Sequence, residues 1–306
     1  MAQAGVTTPA GAQERRSVSL RKRLVPHALL GPGGIWLFIF FILPVVLMTI
    51  TSLKSGGILS GGFRFTWEFG NYGAAISENR TFFLRALSYS GIVTVLALLL
   101  AYPLAYWIAF YGGRWKSSLL LLLLLPFFVS FVIRTVQWQF ILADHGFLLG
   151  TLKDWGVLPQ DYHVLATNVA VVSGMTYNFL PFTALPLYVA LERIDKGLVE
   201  AAKDLYASKV QAFLKVVFPL SLPGVFAAFL LTFVPATGDY VDSSILGSNA
   251  TFVIGQRIQY LFLEGFKYSE ASALSIILMI GMVILASLYA RALGTEEATL
   301  TAGAGA

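Results

Sequence analysis

The 306-residue sequence has no cysteine and only three histidines, and charged residues make up just 12% of it. Without cysteine there is no disulfide framework and no thiolate metal site. His27, His145 and His163 are far apart and read as solvated loop or flank residues, not as a metal-ligating set. Soluble domains are about 25% charged and about 45–50% apolar. A chain that is 12% charged and 57% hydrophobic is therefore read as one integral membrane domain. Also absent are a G-x-x-x-x-G-K-[ST] loop, a dinucleotide fingerprint, H-E-x-x-H and a nucleophile elbow. No catalytic centre is visible, so any uphill work would draw on an ion gradient or on another polypeptide. No internal repeat is evident, and low complexity is confined to the two tails.

Long apolar runs are what the sequence does have. Six are long enough, at about 20 residues each, to cross a bilayer core of roughly 30 Å. They lie near 34–54, 84–110, 117–142, 164–191, 219–238 and 271–293. Runs such as LLLLLLPFF fit helices and not the short alternating strands of a membrane barrel. The expected fold is an all-α integral membrane protein with six transmembrane helices. A basic N-terminal tail spans 1–30, the membrane domain 31–295 and a C-terminal tail 296–306.

The net charge of +5 reflects topology and not nucleic-acid binding. Arg15, Arg16, Arg21, Lys22 and Arg23 precede the first apolar run, which reads as a retained anchor without a removable signal peptide. With the N-terminus inside, these five share the cytoplasmic side with Arg114, Lys116, Arg193, Lys196, Lys203, Lys209, Lys215 and Arg291. The outer side receives Lys54, Arg64, Arg80, Arg85, Lys153, Arg257 and Lys267. That imbalance favours both termini in the cytoplasm.

The same orientation puts the charged insert 192–218 in the cytoplasm. Leu198, Ala201, Ala202 and Leu205 recur at helical spacing, and Glu200, Lys203 and Asp204 lie largely off that face. Ser208 precedes Gln211 by three residues, the pattern of a capping box. The insert therefore reads as two short helices with a turn around Tyr206–Ser208. The second would put Val210, Phe213, Leu214 and Val217 on one side, with Pro219 in the first turn of the next span or at a bend into it. A short amphipathic helix of this kind can lie on lipid or dock into a partner's groove.

This insert resembles the cytoplasmic motif of binding-protein-dependent ABC importer permeases. In that motif EAA is followed at fixed spacing by Gly, then Ile, then Leu-Pro. Here Glu200, Ala201 and Ala202 match, Tyr206 stands at the glycine place, and Val216, Phe218 and Pro219 come after it. PFFVSFVIRTVQW (126–138), LPFTALPLYVALERID (180–195), PLSLPGV (219–225) and FVPATGDYV (233–241) extend the likeness over roughly residues 30–295. They are similar to the spermidine/putrescine branch, and within it to the B-type permease. Branches for ferric iron, thiamine and sulfate share much of the pattern.

The resemblance implies a type I importer permease with a coupling helix pair between helices 4 and 5. It implies a second permease subunit, two ATP-binding subunits that carry ATP and magnesium, and an extracytoplasmic substrate-binding protein. This chain would bind no cofactor itself and would sit in a bacterial inner membrane. Coupling to the ATPase would run through Glu200, Ala201, Ala202, Asp204, Leu205, Tyr206 and Ser208, with Glu200 as the polar contact. A bulky residue at the glycine place leaves two options: the turn uses ordinary dihedrals, or the Tyr206 ring fills part of the docking groove. The rival reading is an ion-coupled secondary transporter, which six spans and a cytoplasmic polar insert disfavour.

Polar residues stranded in apolar runs are the candidates for a solute pathway. Arg134 lies mid-span, where a charge costs about 2.5–3.5 kcal/mol on insertion scales. It is expected to face the bundle interior, a partner or water, unless it snorkels outward, and Asp239 is a plausible mate. Asp239 and Asp242 with Tyr240 between them offer charge pairing and a cation–π face to an alkyl-ammonium chain. Trp138, Tyr177 and Asn178 are placed along the same route, with helix packing or interfacial anchoring as the alternative for Trp138 and Tyr177. The outer stretch 243–268, with Arg257 and Glu264, is a candidate contact for a delivery protein.

Overall fold

The computed structural model describes residues 31–57 and 62–303, with side chains to residue 291. The basic N-terminal tail and the last three residues lie outside the described residues. The chain divides into two compact units, the first ending at Ile50 and the second beginning at Thr51. Helix α1, Gly31–Ser52, supplies nearly all that is described of the first unit. Its apolar side chains, Trp36, Phe40 and Phe41 among them, are exposed, as an anchor in lipid requires.

The second unit opens with an antiparallel hairpin that the all-α expectation missed, β1 Lys54–Gly57 on β2 Gly62–Phe65. Helices come next as α2 Gly70–Tyr111, α3 Lys116–Leu124, α4 Phe131–Leu142, α5 Phe147–Asp154, α6 Asn168–Glu192 and α7 Lys196–Asp204. Then come α8 Lys209–Gly238, α9 Val241–Leu246, α10 Ile254–Leu263 and α11 Tyr268–Gly303.

Helices α2, α6 and α8 pack against one another as the centre of this unit. Small residues make that possible. Ala97, Ala101, Ala105 and Ala109 recur every fourth position on α2 and are buried, so backbones approach closely where lipid offers no hydrophobic drive. Gly224 on α8 sits so near α6 that an added Cβ would overlap the Ala190 methyl group. Hydroxyl pairs tie the three helices together: Tyr102 to Ser221 at 2.7 Å, Thr183 to Thr232 at 2.7 Å, and Thr237 donating to Ser90 at 2.9 Å. At the far end of α2, Arg257 donates to Asn79 at 2.9 Å and lies 3.6 Å from Glu270. Arg257 is thus an internal brace between α10, α2 and α11.

The third expected span, 117–142, is not one helix. A 3-10 turn at Leu125–Phe128 holds Pro126, and Val129 and Ser130 are extended, with ψ of 137° and 139°. The two halves, Gly113–Phe128 and Phe131–Asp154, meet at 89°. Proline lacks the N–H for the helical ladder and disfavours helix in the residue before it, and the apolar PFFV run hid this break from hydropathy. Among the described residues four helices, α1, α2, α8 and α11, are long and apolar enough to cross a membrane, and the bent pair would make five. The expected fourth span, 164–191, becomes the 25-residue α6, starting after its Thr167 cap. Buried Thr176, Asn178 and Thr183 lower its apolarity.

Proline also shapes both helices that contain a π segment. In α1 the segment is Phe38–Ile42 and in α8 it is Phe213–Val217. After each segment come one residue and then a proline, Pro44 or Pro219. The N–H of Leu43 reaches back to the Phe38 carbonyl, and that of Phe218 to the Phe213 carbonyl. Widening the turn relieves the clash between the proline ring and the carbonyl four residues earlier. Pro219 thus continues the helix and does not end it.

Candidate functional site

The insert folds as two short helical pieces around a tight turn. Asp195 caps α7 by accepting from the Gly197 N–H at 2.9 Å. Ser208 starts α8 with a complete capping box, its hydroxyl accepting from Gln211 N while Gln211 accepts from Ser208 N. Between them the Tyr206 N–H donates to Lys203 O at 2.9 Å and the Ala207 N–H to Ala202 O at 3.0 Å. That pair of bonds is a Schellman motif with Tyr206 at the position glycine usually takes. Tyr206 adopts φ of +61°, so the turn keeps the glycine conformation and the ordinary-dihedral option is ruled out. Its ring is 97% exposed.

The faces of the insert are now distinct. Leu198 and Leu205 point outward, 49% and 82% exposed, joined by Val210 and Leu214. Phe213 and Val217, expected beside them, turn inward and pack on the α2–α6 core. Glu200 lines a cavity between α7 and the end of α2, together with Val199, and so does not share the face of Leu198 and Leu205. Ala201, Ala202 and Asp204 complete α7.

A second cluster forms where the bent pair meets α6 and α9. The break at Ser130 starts α4 so that Arg134 and Thr135 face inward and both are buried. Asp242, fully buried on α9, accepts from Thr135 Oγ1 at 2.6 Å and from Asn178 Nδ2 at 2.9 and 3.2 Å. Asp239 closes its own turn, accepting from Val241 N at 2.9 Å. Burial leaves Arg134 Nε and Nη1, Asn178 Oδ1 and Asp239 Oδ2 without hydrogen-bond partners. Burying such groups unpaired is costly.

Arg134 forms no ion pair with Asp239, contrary to the sequence reading. Its guanidinium lies over Phe127 at 5.1 Å and Phe131 at 5.6 Å. One oxygen of Asp239 closes the turn, and the short helix after it swings Asp242 inward. Trp138 and Tyr177 meet across the α4–α6 contact with ring centroids 5.5 Å apart and planes tilted by 56°. Tyr240 is 43% exposed and lies at the surface. Thr135 was missed by sequence reasoning; its place beside Arg134 in an apolar run was the only signal.

Comparison with known proteins identifies the family. The family described as binding-protein-dependent transport system inner membrane component matches residues 97–295. The spermidine/putrescine transport system permease protein PotB of Haemophilus influenzae is 34% identical over 259 residues, 84% of this chain and 90% of that protein. PotB of Escherichia coli K12 is 31% identical over 255 residues, 82% of this chain and 92% of its own length. Among solved structures, a chain of a bacterial ABC transporter involved in import of the acidic polysaccharide alginate has a similar fold. It shares 19% identity at a TM-score of 0.69, covering 89% of this chain and 96% of that one. On the matched residues and these identities, the chain belongs to the inner-membrane permease family of binding-protein-dependent ABC importers.

Proposed function

We propose that this permease subunit imports polyamines of the spermidine/putrescine class. The carrying observation is its likeness, across most of its length, to permeases of spermidine/putrescine systems. The buried cluster suits such a solute. An ammonium group brings donors only, and Asp239 Oδ2 and Asn178 Oδ1 are acceptors awaiting donors. Asp242 adds negative charge, and Trp138, Tyr177 and Tyr240 would offer aromatic faces along the route. Arg134 repels a polycation, so its place is in the frame of the pathway, set against Phe127 and Phe131.

In this reading α1, α2, the bent pair, α6, α8 and α11 make six spans with both termini in the cytoplasm, in a bacterial inner membrane. The chain pairs with a second permease and works with two ATP-binding subunits and an extracytoplasmic binding protein. It binds no cofactor; ATP and magnesium sit on the partner subunits, which carry the hydrolytic activity. The exposed face of Leu198, Leu205 and Tyr206 seats in the ATP-binding subunit, with Ala201, Ala202, Asp204 and Ser208 shaping the helix pair. Closure of the ATP-binding subunits then moves the spans between inward- and outward-open arrangements.

The test is uptake of labelled spermidine into proteoliposomes holding the whole complex, with ATP inside. ATP-dependent uptake competed by putrescine is expected, with Glu200→Arg hydrolysing ATP without matching uptake. Competition by ferric iron, thiamine or sulfate instead would reassign the solute. Flux through this chain alone, driven by a Na⁺ or H⁺ gradient, would replace the importer reading with a secondary transporter.

A further inference from the structure

The side of the coupling helix that faces the end of α2 carries a charge pattern of its own. Lys196, Glu200 and Lys203 recur at helical spacing on α7 and line one side of a cavity of about 190 Å³. Lys209, at the start of α8, and Tyr106 and Tyr111, at the end of α2, close its other sides. The volume is several times the roughly 30 Å³ that a water molecule occupies in the liquid. Three lysines and one glutamate leave the lining with a surplus of two positive charges.

Nearby carboxylates do not neutralise that surplus. Glu192 is held by Lys116 at 2.6 Å, and Asp195 caps its own helix. Among the described residues, Lys196, Lys203 and Lys209 enter no ion pair. The cavity also lies at an identifiable depth. At the end of α2 and just beyond it, Trp107, Tyr111 and Trp115 are 50%, 67% and 60% exposed. A belt of exposed tryptophan and tyrosine marks the headgroup level of a bilayer. Basic pockets between helices at that level suit acidic headgroups.

We propose that this cavity binds a phosphate anion, supplied by the headgroup of an anionic phospholipid. The three ammonium groups would take the phosphate oxygens, and the hydroxyls of Tyr106 and Tyr111 would donate from the α2 side. The headgroup would brace α7 against α2 from behind, while Leu198 and Leu205 stay free on the opposite face. Lipid binding itself stands whether or not α7 couples to an ATPase.

Native mass spectrometry of the purified full chain, titrated with phosphatidylglycerol or phosphatidylcholine, tests this. One tightly held phosphatidylglycerol is expected, with phosphatidylcholine held far more weakly. Each Lys→Gln change at 196, 203 and 209 should weaken retention about five-fold, and Lys203→Arg should restore it. Equal retention of both lipids, or an unchanged triple variant, would overturn the proposal. So would an equal loss in a control carrying Arg114→Gln, Arg193→Gln and Lys215→Gln, exposed cations of the same region outside the cavity. Displacement of the lipid by inorganic phosphate would reassign the site to the free anion.

Discussion

Asn178 on α6 donates its side-chain amide to both carboxylate oxygens of Asp242, at 2.9 and 3.2 Å, and so ties the short helix α9 to the centre of the bundle. Thr135 bonds the same carboxylate from α4. Three separate pieces of chain therefore converge on one buried charge. Hydrogen bonds to a charged group contribute about 1.5–3 kcal/mol, and leaving a buried charge short of donors costs at least as much. Asn178→Leu is expected to destabilise the chain by about 2–3 kcal/mol, read as a lower thermal midpoint in detergent. Asp242→Asn keeps the shape and removes the charge. Its amide nitrogen cannot accept from Asn178 as the second carboxylate oxygen does, so the midpoint should fall as well, and spermidine uptake by the complex should fall at least ten-fold.

Tyr206 is a second place where local physics makes a measurable demand. A left-handed conformation costs an L-residue roughly 1–2 kcal/mol that glycine avoids. Nothing in the chain's own packing offsets this, because the ring is 97% exposed. Tyr206→Gly should stabilise the turn by about 1 kcal/mol, slowing hydrogen exchange at the Ala207 amide about five-fold. Tyr206→Val, β-branched and poorly suited to positive φ, should speed it. The same glycine variant should bind the ATP-binding subunit more weakly, because it removes the most exposed aromatic of the proposed docking face. Tighter binding by Tyr206→Gly would mean that the ring obstructs docking.

How much of this was legible in the sequence depends on the range of the interaction. The Ser208 box and the turn at Tyr206 are set by bonds spanning no more than five residues, and both stood where spacing put them. The π segments before Pro44 and Pro219 are equally local, yet periodicity alone did not distinguish a widened turn from a bend. The break at Val129–Ser130 was hidden because PFFV is as apolar as the helices around it. Asp242 was visible as a stranded carboxylate. Asn178 was placed on the same route, but its bond to Asp242 was not foreseen and Thr135 was missed, since they lie 64 and 107 residues away. The expected Arg134–Asp239 pair failed for a related reason: Asp239 had a local use, closing its own turn.

The exposed face of α7 gives a prediction independent of the turn. Leu205 is 82% exposed and contributes little to the folded chain alone. Leu205→Glu should therefore leave the thermal midpoint of the isolated subunit within experimental error. Burying that side chain in a partner is worth about 1.5–3 kcal/mol, so the variant should lose at least ten-fold in affinity for the ATP-binding subunit, measured by co-purification across a concentration series. Unchanged affinity would remove Leu205 from the docking face.

Close packing of α6 against α8 can be tested by moving one methyl group. A Cβ added at Gly224 would overlap Ala190 Cβ and lie 3.0 Å from the Pro186 carbonyl oxygen. Neither can step aside, since one is attached directly to the backbone and the other belongs to it. Gly224→Ala should therefore push the helices apart and destabilise the chain by about 1–3 kcal/mol, the usual cost of overpacking. Ala190→Gly alone leaves a methyl-sized gap and a more flexible helix, at about 1 kcal/mol. Combined, the two changes restore the missing volume from the opposite side. The double variant should be more stable than Gly224→Ala alone, giving a coupling energy of about 1 kcal/mol or more in thermal unfolding. Simple additivity would show that the Pro186 carbonyl, and not the Ala190 methyl, sets the distance between the helices.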